Sequence, residues 1–166
     1  MQKTYFTNSS SQTKKLGKKL AEKIVSPTGF KQEQNQQGSP CILCLQGDLG
    51  AGKTCFLQGF AKGLDIKQKI TSPSFVILKK FKIDNQLSKI HYQYFYHIDC
   101  YRIQKPEEIM DLGFKRMLSD NANIIAIEWP ERITKILPKQ IIKIKFEFIN
   151  KNTRKIIILY PIVIHN

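Results

Sequence analysis

The octapeptide GDLGAGKT, residues 47–54, constrains what this chain can fold into more than any other stretch. It satisfies G-x-x-x-x-G-K-[ST] through Gly47, Gly52, Lys53 and Thr54, but a chain this long meets that pattern by chance on the order of one time in a hundred. Its surroundings decide. Ahead of it stands CILCL, a short continuous apolar run of the kind that forms a strand buried on both faces. Behind it, Phe56, Leu57, Phe60, Ala61 and Leu64 fall on one helical face, with Gly63 near the end. A glycine-rich loop between a buried strand and a helix is a phosphate-binding P-loop. Its consecutive backbone N–H groups, from Gly47 through Asp48, Leu49, Gly50, Ala51 and Gly52 to Lys53, Thr54 and Cys55, form an anion cradle at a helix N-terminus. Lys53 then reaches the β- and γ-phosphates, and the Thr54 hydroxyl ligates Mg²⁺.

The rest of the chain fits an α/β fold, a P-loop NTPase-like mixed sheet with flanking helices, as one domain over residues 1–166. SSSQTKKLGKKLAEKI reads as a surface helix capped by Ser9 with Gln12 three residues on, and Leu16, Leu20 and Ile24 make the stripe that packs on the sheet. Residues 27–40, rich in Gln, Gly and Pro, read as an exposed loop. ITSPSFVILKKF and SKIHYQYFYHID read as strands joined by a polar turn near Asp84 and Asn85, and PEEIMDLGFKRMLSD as a helix starting at Pro106. NIIAI is a second continuous apolar run. The tail alternates, with Ile142, Ile144, Phe146 and Phe148 on one face and Lys143, Lys145 and Glu147 on the other. After a turn at Asn150 to Asn152 comes RKIIILY, which predicts a C-terminal antiparallel hairpin.

Apolar content of 42% and charged content of 24% are those of a globular protein, and no stretch approaches the ~18 uninterrupted apolar residues of a membrane span. The N-terminus lacks a signal-peptide apolar region, so a cytoplasmic location without membrane attachment is expected. Cys41 and Cys44 form a C-x-x-C, but inside CILCL a strand points them to opposite faces, and buried free thiols are the better reading. The net charge of +14 favours phosphate-rich or acidic partners. Only four of the 27 basic residues are Arg, however, and a chain crowded with Ile, Asn, Phe and Tyr has the composition of AT-rich codons, so much of the lysine reads as solvated surface.

A P-loop metal needs acidic support from the end of a neighbouring strand. Asp99, after YFYHI, and Glu128, after IIAI, both end apolar strands at the sheet edge where ligands bind; Glu128 is the first choice because its strand is the cleaner buried run. Thr71 and Ser72, stiffened by Pro73, offer hydroxyls suited to sensing a γ-phosphate, although a simple loop explains them too. Trp129, the only tryptophan, is core or contact. His97 shares a face with Asp99 and is read as a packed or hydrogen-bonded side chain rather than a ligand, since Mg²⁺ prefers oxygen. Arg102 is the best cationic candidate beside the site.

In this order and at these spacings, GDLGAGKT, TSPSF, HIDCYR, LGF and IEWPE resemble the TsaE (YjeE) family of bacterial P-loop ATPases, from about Ser9 to Arg154. The resemblance implies an ATPase that binds ATP and Mg²⁺ and is required for N6-threonylcarbamoyladenosine at position 37 of tRNAs reading codons that begin with A. It implies association with the TsaB–TsaD pair, whose TsaD member transfers the threonylcarbamoyl group, so that tRNA is met through the complex. It makes Glu128 a Mg²⁺ ligand together with Thr54, Asp99 a residue needed for hydrolysis alongside Lys53, and Trp129 and Thr71 part of the nucleotide site. It also brings Ser9 near the adenine. Four features depart from the family: Cys55 replaces a hydroxyl residue, Ser74 replaces Thr, the 27–40 loop is long, and Ser9 stands where an acid is frequent. Two other classes share some of these features, a P-loop small-molecule kinase and a basic RNA-binding module built on YQYFY.

Overall fold

The two continuous apolar runs form the centre of the sheet. In this computed structural model, which describes residues 1–26, 39–71, 77–84 and 92–161, β2 (Cys41–Gln46) and β5 (Asn123–Glu128) pair in parallel, with Cys41 opposite Ile124 and Leu45 opposite Glu128. Every residue of β5 is buried, as a strand covered on both faces requires. β6 (Ile142–Phe148) lies parallel to the other side of β2, and β4 (Tyr94–Asp99) runs parallel beyond β5. β3 (Leu78–Lys82) turns back antiparallel on β4, and β7 (Arg154–Leu159) turns back on β6 as the expected hairpin. The seven-stranded order is β1-β7-β6-β2-β5-β4-β3, a mixed sheet with parallel strands inside and antiparallel strands at both flanks.

β1 (Gln2–Thr7), which pairs antiparallel with β7, is not foreseen from the sequence. QKTYFT has no apolar run. It is held at an edge by its backbone ladder, with only Tyr5 and Thr7 turned inward. Within the described residues no helix is long and apolar enough to cross a membrane. Residues 27–38 of the expected exposed loop, Ser72 to Ser74 and Asn85 lie outside the described residues.

Strand alternation divides the core in two. Leu43, Leu45, Ile124, Ala126, Ile144 and Phe146 face α1 (Ser10–Val25) and α2 (Lys53–Gly63). Ile42, Cys44, Ile98, Ile125 and Ile127 face α3 (Glu107–Asp111) and α4 (Phe114–Leu118). Cys41 and Cys44 are free thiols whose contacts lie in opposite halves of this core.

Ser9 caps α1, its hydroxyl accepting from the Gln12 N–H at 3.2 Å, while Gln12 Oε1 accepts from the Asn8 N–H at 2.7 Å. The expected stripe is buried at Leu20 and Ile24 and half-buried at Leu16, and its main partner is α2 rather than the sheet. The two helices meet through glycine. A Cβ on Gly59 would lie 2.6 Å from Lys14 Cα, and one on Gly17 3.0 Å from the Phe60 nitrogen.

Two local expectations are corrected. The helix expected to run on from Pro106 breaks in the middle: Gly113, at φ +81°, ends α3 and begins α4. Phe148 keeps the parity of Ile142, Ile144 and Phe146 but is exposed, and the Arg154 guanidinium lies over its ring at 4.5 Å.

Candidate functional site

The loop after β2 turns on three glycines with positive φ, Gly47 (+144°), Gly50 (+76°) and Gly52 (+102°), a region that side-chain-bearing residues rarely enter. At Gly47 space is limiting as well, because a Cβ would sit 2.5 Å from the Phe146 carbonyl oxygen on β6. Asp48 O accepts from the Ala51 N–H at 3.1 Å, which closes the loop's tip, and Leu49 there is exposed. Gly52 starts α2 without a side-chain cap, and the first full-turn bond is Phe56 N–H to Gly52 O at 2.9 Å. The N–H groups of Lys53, Thr54 and Cys55 precede that bond, so they are outward-facing donors at the positive end of the helix. This is an anion cradle made of backbone.

Lys53 is 5% exposed and folds back beneath the loop. Its Nζ donates to Gly47 O at 2.6 Å and Asp48 O at 3.0 Å, and it lies 4.1 Å from the centre of the Trp129 ring. Burial holds the ammonium below the ordinary lysine range, while the carboxylates of Glu128, Asp99, Glu131 and Asp48 pull it back.

Glu128 reaches the cradle from the end of β5. The Thr54 hydroxyl donates to its carboxylate, 3.1 Å from Oε1 and 3.3 Å from Oε2. On the other side His97 Nε2 lies 2.8 Å from the same Oε1. Glu128 is 2% and His97 0% exposed. Asp99 is the register partner of Glu128 across β4 and β5, and its Oδ1 accepts from the Tyr101 N–H at 3.0 Å. Trp129 adopts a left-handed conformation at φ +58° while its N–H donates to Leu45 O at 3.3 Å, carrying the β2–β5 pairing one residue past the strand. Its ring then packs on Tyr101, 5.0 Å between centroids, and under Lys53.

The fold therefore brings Lys53, Thr54, Glu128, Trp129 and Asp99 to one edge of the sheet. Ser9 stands near them at the head of α1, where Cys55 Sγ donates to Ser10 O at 3.3 Å and Thr13 Cγ2 lies 3.8 Å from where a Gly52 Cβ would be. Thr71 is placed differently: its hydroxyl accepts from Lys79 Nζ at 2.9 Å on the β3 side. Arg102 is exposed on the turn after β4.

Two features of the site were not assigned from the sequence. Arg154, from the hairpin, reaches the loop with Nη2 3.5 Å from Gly50 O while Nη1 donates to Asn150 O at 2.8 Å. The His97–Glu128 contact is the other, and the shared parity of His97 and Asp99 was its only sequence signal.

A nucleotide phosphate fits this cradle because its donors are backbone N–H groups and one lysine. Mg²⁺ fits its acidic side, where a hydroxyl and a carboxylate offer hard oxygens. Among the described residues no group of three or more His, Cys, Asp or Glu side chains could hold a metal.

Comparison with known proteins supplies the remaining context. A family model described as "Threonylcarbamoyl adenosine biosynthesis protein TsaE" matches residues 7–156. The tRNA threonylcarbamoyladenosine biosynthesis protein TsaE of Rickettsia felis is 36% identical over 148 residues, covering 89% of this chain and 74% of the relative. That of Treponema pallidum is 35% identical over 121 residues, covering 73% and 82%. Among solved structures, the crystal structure of Bacillus subtilis YdiB superposes with a TM-score of 0.66 at 25% identity, covering 96% of this chain and 86% of that one.

Proposed function

The chain belongs to the TsaE family of tRNA threonylcarbamoyladenosine biosynthesis, and from that premise we propose that it is the Mg²⁺-dependent ATPase of the pathway. The observation that carries the reading is the Thr54–Glu128 hydrogen bond, which joins the first turn of α2 to the end of β5 directly beside the backbone cradle. A structural turn has no use for a buried carboxylate at that point. A metal-nucleotide site needs one there.

On this reading the N–H groups at the head of α2 hold the phosphates, and Lys53 exchanges its two carbonyl acceptors for charged phosphate oxygens, which make stronger hydrogen bonds. Thr54 and Glu128 hold Mg²⁺. When bound, the ion neutralises charge on the phosphate oxygens. Asp99, next to Glu128 in register, serves hydrolysis, and the Trp129 ring walls the cation's side of the site. Ser9 and Cys55 lie where α1 meets α2, on the side given to the nucleoside.

We further assign the protein to the cytoplasm, acting with the TsaB–TsaD pair and meeting tRNA through that complex. The chain's own supply of catalytic cations supports dependence on a partner. Arg102 is exposed on its turn, and Arg154, although its Nη2 reaches Gly50 O of the loop at 3.5 Å, is engaged chiefly with carbonyls of the hairpin turn. An arginine finger is worth roughly 10³ to 10⁵ in rate where it has been measured.

The test is steady-state phosphate release with and without the pair, run in parallel with tRNA modification. The pair is expected to accelerate release. Fast release by the chain alone, unchanged by the pair, overturns the partner dependence, and absence of ATP binding by the folded chain overturns the ATPase reading.

A further inference from the structure

His97 has no part in the phosphate cradle, yet it is the most enclosed polar side chain near it. It sits on β4 at 0% exposure, opposite Ala126 in the β4–β5 register, and its Nε2 lies 2.8 Å from Glu128 Oε1. A carboxylate oxygen only accepts, so Nε2 is the donor. Its Nδ1 is buried and has no hydrogen-bond partner among the described residues. The hydrogen bond to a carboxylate assigns a ring hydrogen to Nε2. Among the described residues, the polar contact of this buried ring is thus one hydrogen bond to one oxygen.

That oxygen matters because Glu128 is pinned from two sides. Thr54 Oγ1 approaches both carboxylate oxygens, at 3.1 and 3.3 Å, and His97 holds Oε1 from the sheet side. Thr54 alone leaves the carboxylate free to rotate about its terminal bond, a broad torsion in glutamate. With His97 in place one orientation is selected, and both oxygens stay turned toward the head of α2.

We propose that His97 is a positioning residue for the metal side of the nucleotide site: through Nε2–H it fixes the Glu128 carboxylate in the orientation that Mg²⁺-dependent nucleotide binding requires, while touching neither ion nor nucleotide. The proposal rests on the ATP and Mg²⁺ reading of the site. It predicts a division of labour. The backbone cradle and Lys53 set affinity for nucleotide without metal, and His97 sets how much Mg²⁺ is needed to raise it.

The experiment uses the full chain and measures ATP affinity by calorimetry, first in EDTA and then across a Mg²⁺ titration. His97→Gln places an amide N–H close to the Nε2 position, whereas His97→Asn reaches only the Nδ1 position and His97→Leu has no donor. Neither of these last two presents a donor to Glu128, so they are independent arms that are donor-less at that carboxylate, and thermal melting identifies the folded variants. Residues that orient a metal ligand are typically worth roughly 10- to 100-fold in metal affinity. The expected result is therefore a 10- to 100-fold rise in the Mg²⁺ concentration needed by the donor-less variants, with unchanged affinity in EDTA and near-complete rescue by His97→Gln. An unshifted Mg²⁺ dependence in a folded donor-less variant overturns the proposal. So does an equal shift in His97→Gln, or an equal loss of affinity in EDTA, since either marks a packing role. A wild-type chain that binds ATP with no gain from Mg²⁺ overturns the metal reading itself, and the wild-type titration alone distinguishes that failure from the others.

Discussion

Replacing Gly59 by Ala adds one methyl group where two helices leave no room for it. The substituted Cβ lies 2.6 Å from Lys14 Cα and meets the Lys14 carbonyl group, which is backbone and cannot rotate aside. Carbon atoms rest at about 3.5–4.0 Å, so α1 must withdraw by about 1 Å. A gap of that size forfeits a quarter to a half of each dispersion contact across it, and Leu20, Ala21, Phe56 and Phe60 are all packed there at 4% exposure or less. Overpacking of this kind costs about 1–3 kcal/mol or more, against the ~1 kcal/mol that alanine gains over glycine inside a helix. With rigid backbone as the obstacle the upper range applies, and the expected net loss is about 2 kcal/mol, equivalent to a melting temperature lower by about 4–8 °C in a domain of this size. Urea denaturation measures it as a lower midpoint at unchanged slope. Gly113→Ala is the control: its φ is +81° but nothing lies within 4 Å, so only left-handed strain of about 1–2 kcal/mol applies. An unchanged or raised midpoint for Gly59→Ala refutes the reasoning. The withdrawal also carries Ser10 and Thr13 away from Cys55 and Gly52, so ATP affinity falls with stability.

Lys53→Ala removes a charged donor, worth about 1.5–3 kcal/mol, so calorimetry is expected to show ATP binding weaker by roughly ten- to a hundredfold. Because Lys53 Nζ sits 4.1 Å from the Trp129 ring, ATP added to the wild-type chain changes tryptophan fluorescence, and a silent titration at saturating ATP contradicts the placement of that cation. Glu128→Ala and Asp99→Ala lower phosphate release by a larger factor than they weaken metal-free ATP binding; wild-type release by either variant in the partner-containing assay removes that residue from the mechanism. Cys41 and Cys55 are both half-buried residues, but the Cys41 sulfur itself is turned inward: burial pushes the thiols of Cys41, Cys44 and Cys100 up to about 12, whereas that of Cys55 is raised less. At pH 8 a disulfide reagent therefore labels Cys55 first in the native protein and the other three only after denaturation, and rapid labelling of more than one thiol overturns this order.

Where local chemistry suffices, the sequence was a good guide. The P-loop needs glycines at fixed positions and a strand and helix beside it, and all of these are adjacent in the chain. The place of Glu128 at the end of its strand was legible because a fully buried parallel strand leaves its mark as an unbroken apolar run. β1 was not, since an edge strand held by its backbone ladder needs few apolar side chains, and QKTYFT supplies little more than Tyr5. The break at Gly113 was hidden because glycine within a helical pattern reads either as a weak interior residue or as an end. Gly17 and Gly59 gave no local sign of their contact, because each is required by a helix distant in sequence. The tie between His97 and Glu128 depends in the same way on β4 lying next to β5.

The pairing of β2 with β5 and β6 also sets an order in time. Synthesis delivers the P-loop and its helix early, yet β2 has no sheet to join until the strands around Ile124 and Ile142 have left the ribosome, and β1 waits longer still for β7. The first strand made is among the last to find its partner, and these long-range pairings predict slow folding for a domain of this size. A nascent chain arrested before Asn123 has its Lys53 but lacks Glu128 and Trp129, so the candidate site is complete only once β5 and the residue after it have been made. On the proposed function, ATP added during translation is expected to stabilise molecules that extend past Trp129 and to leave the shorter ones to the chaperones.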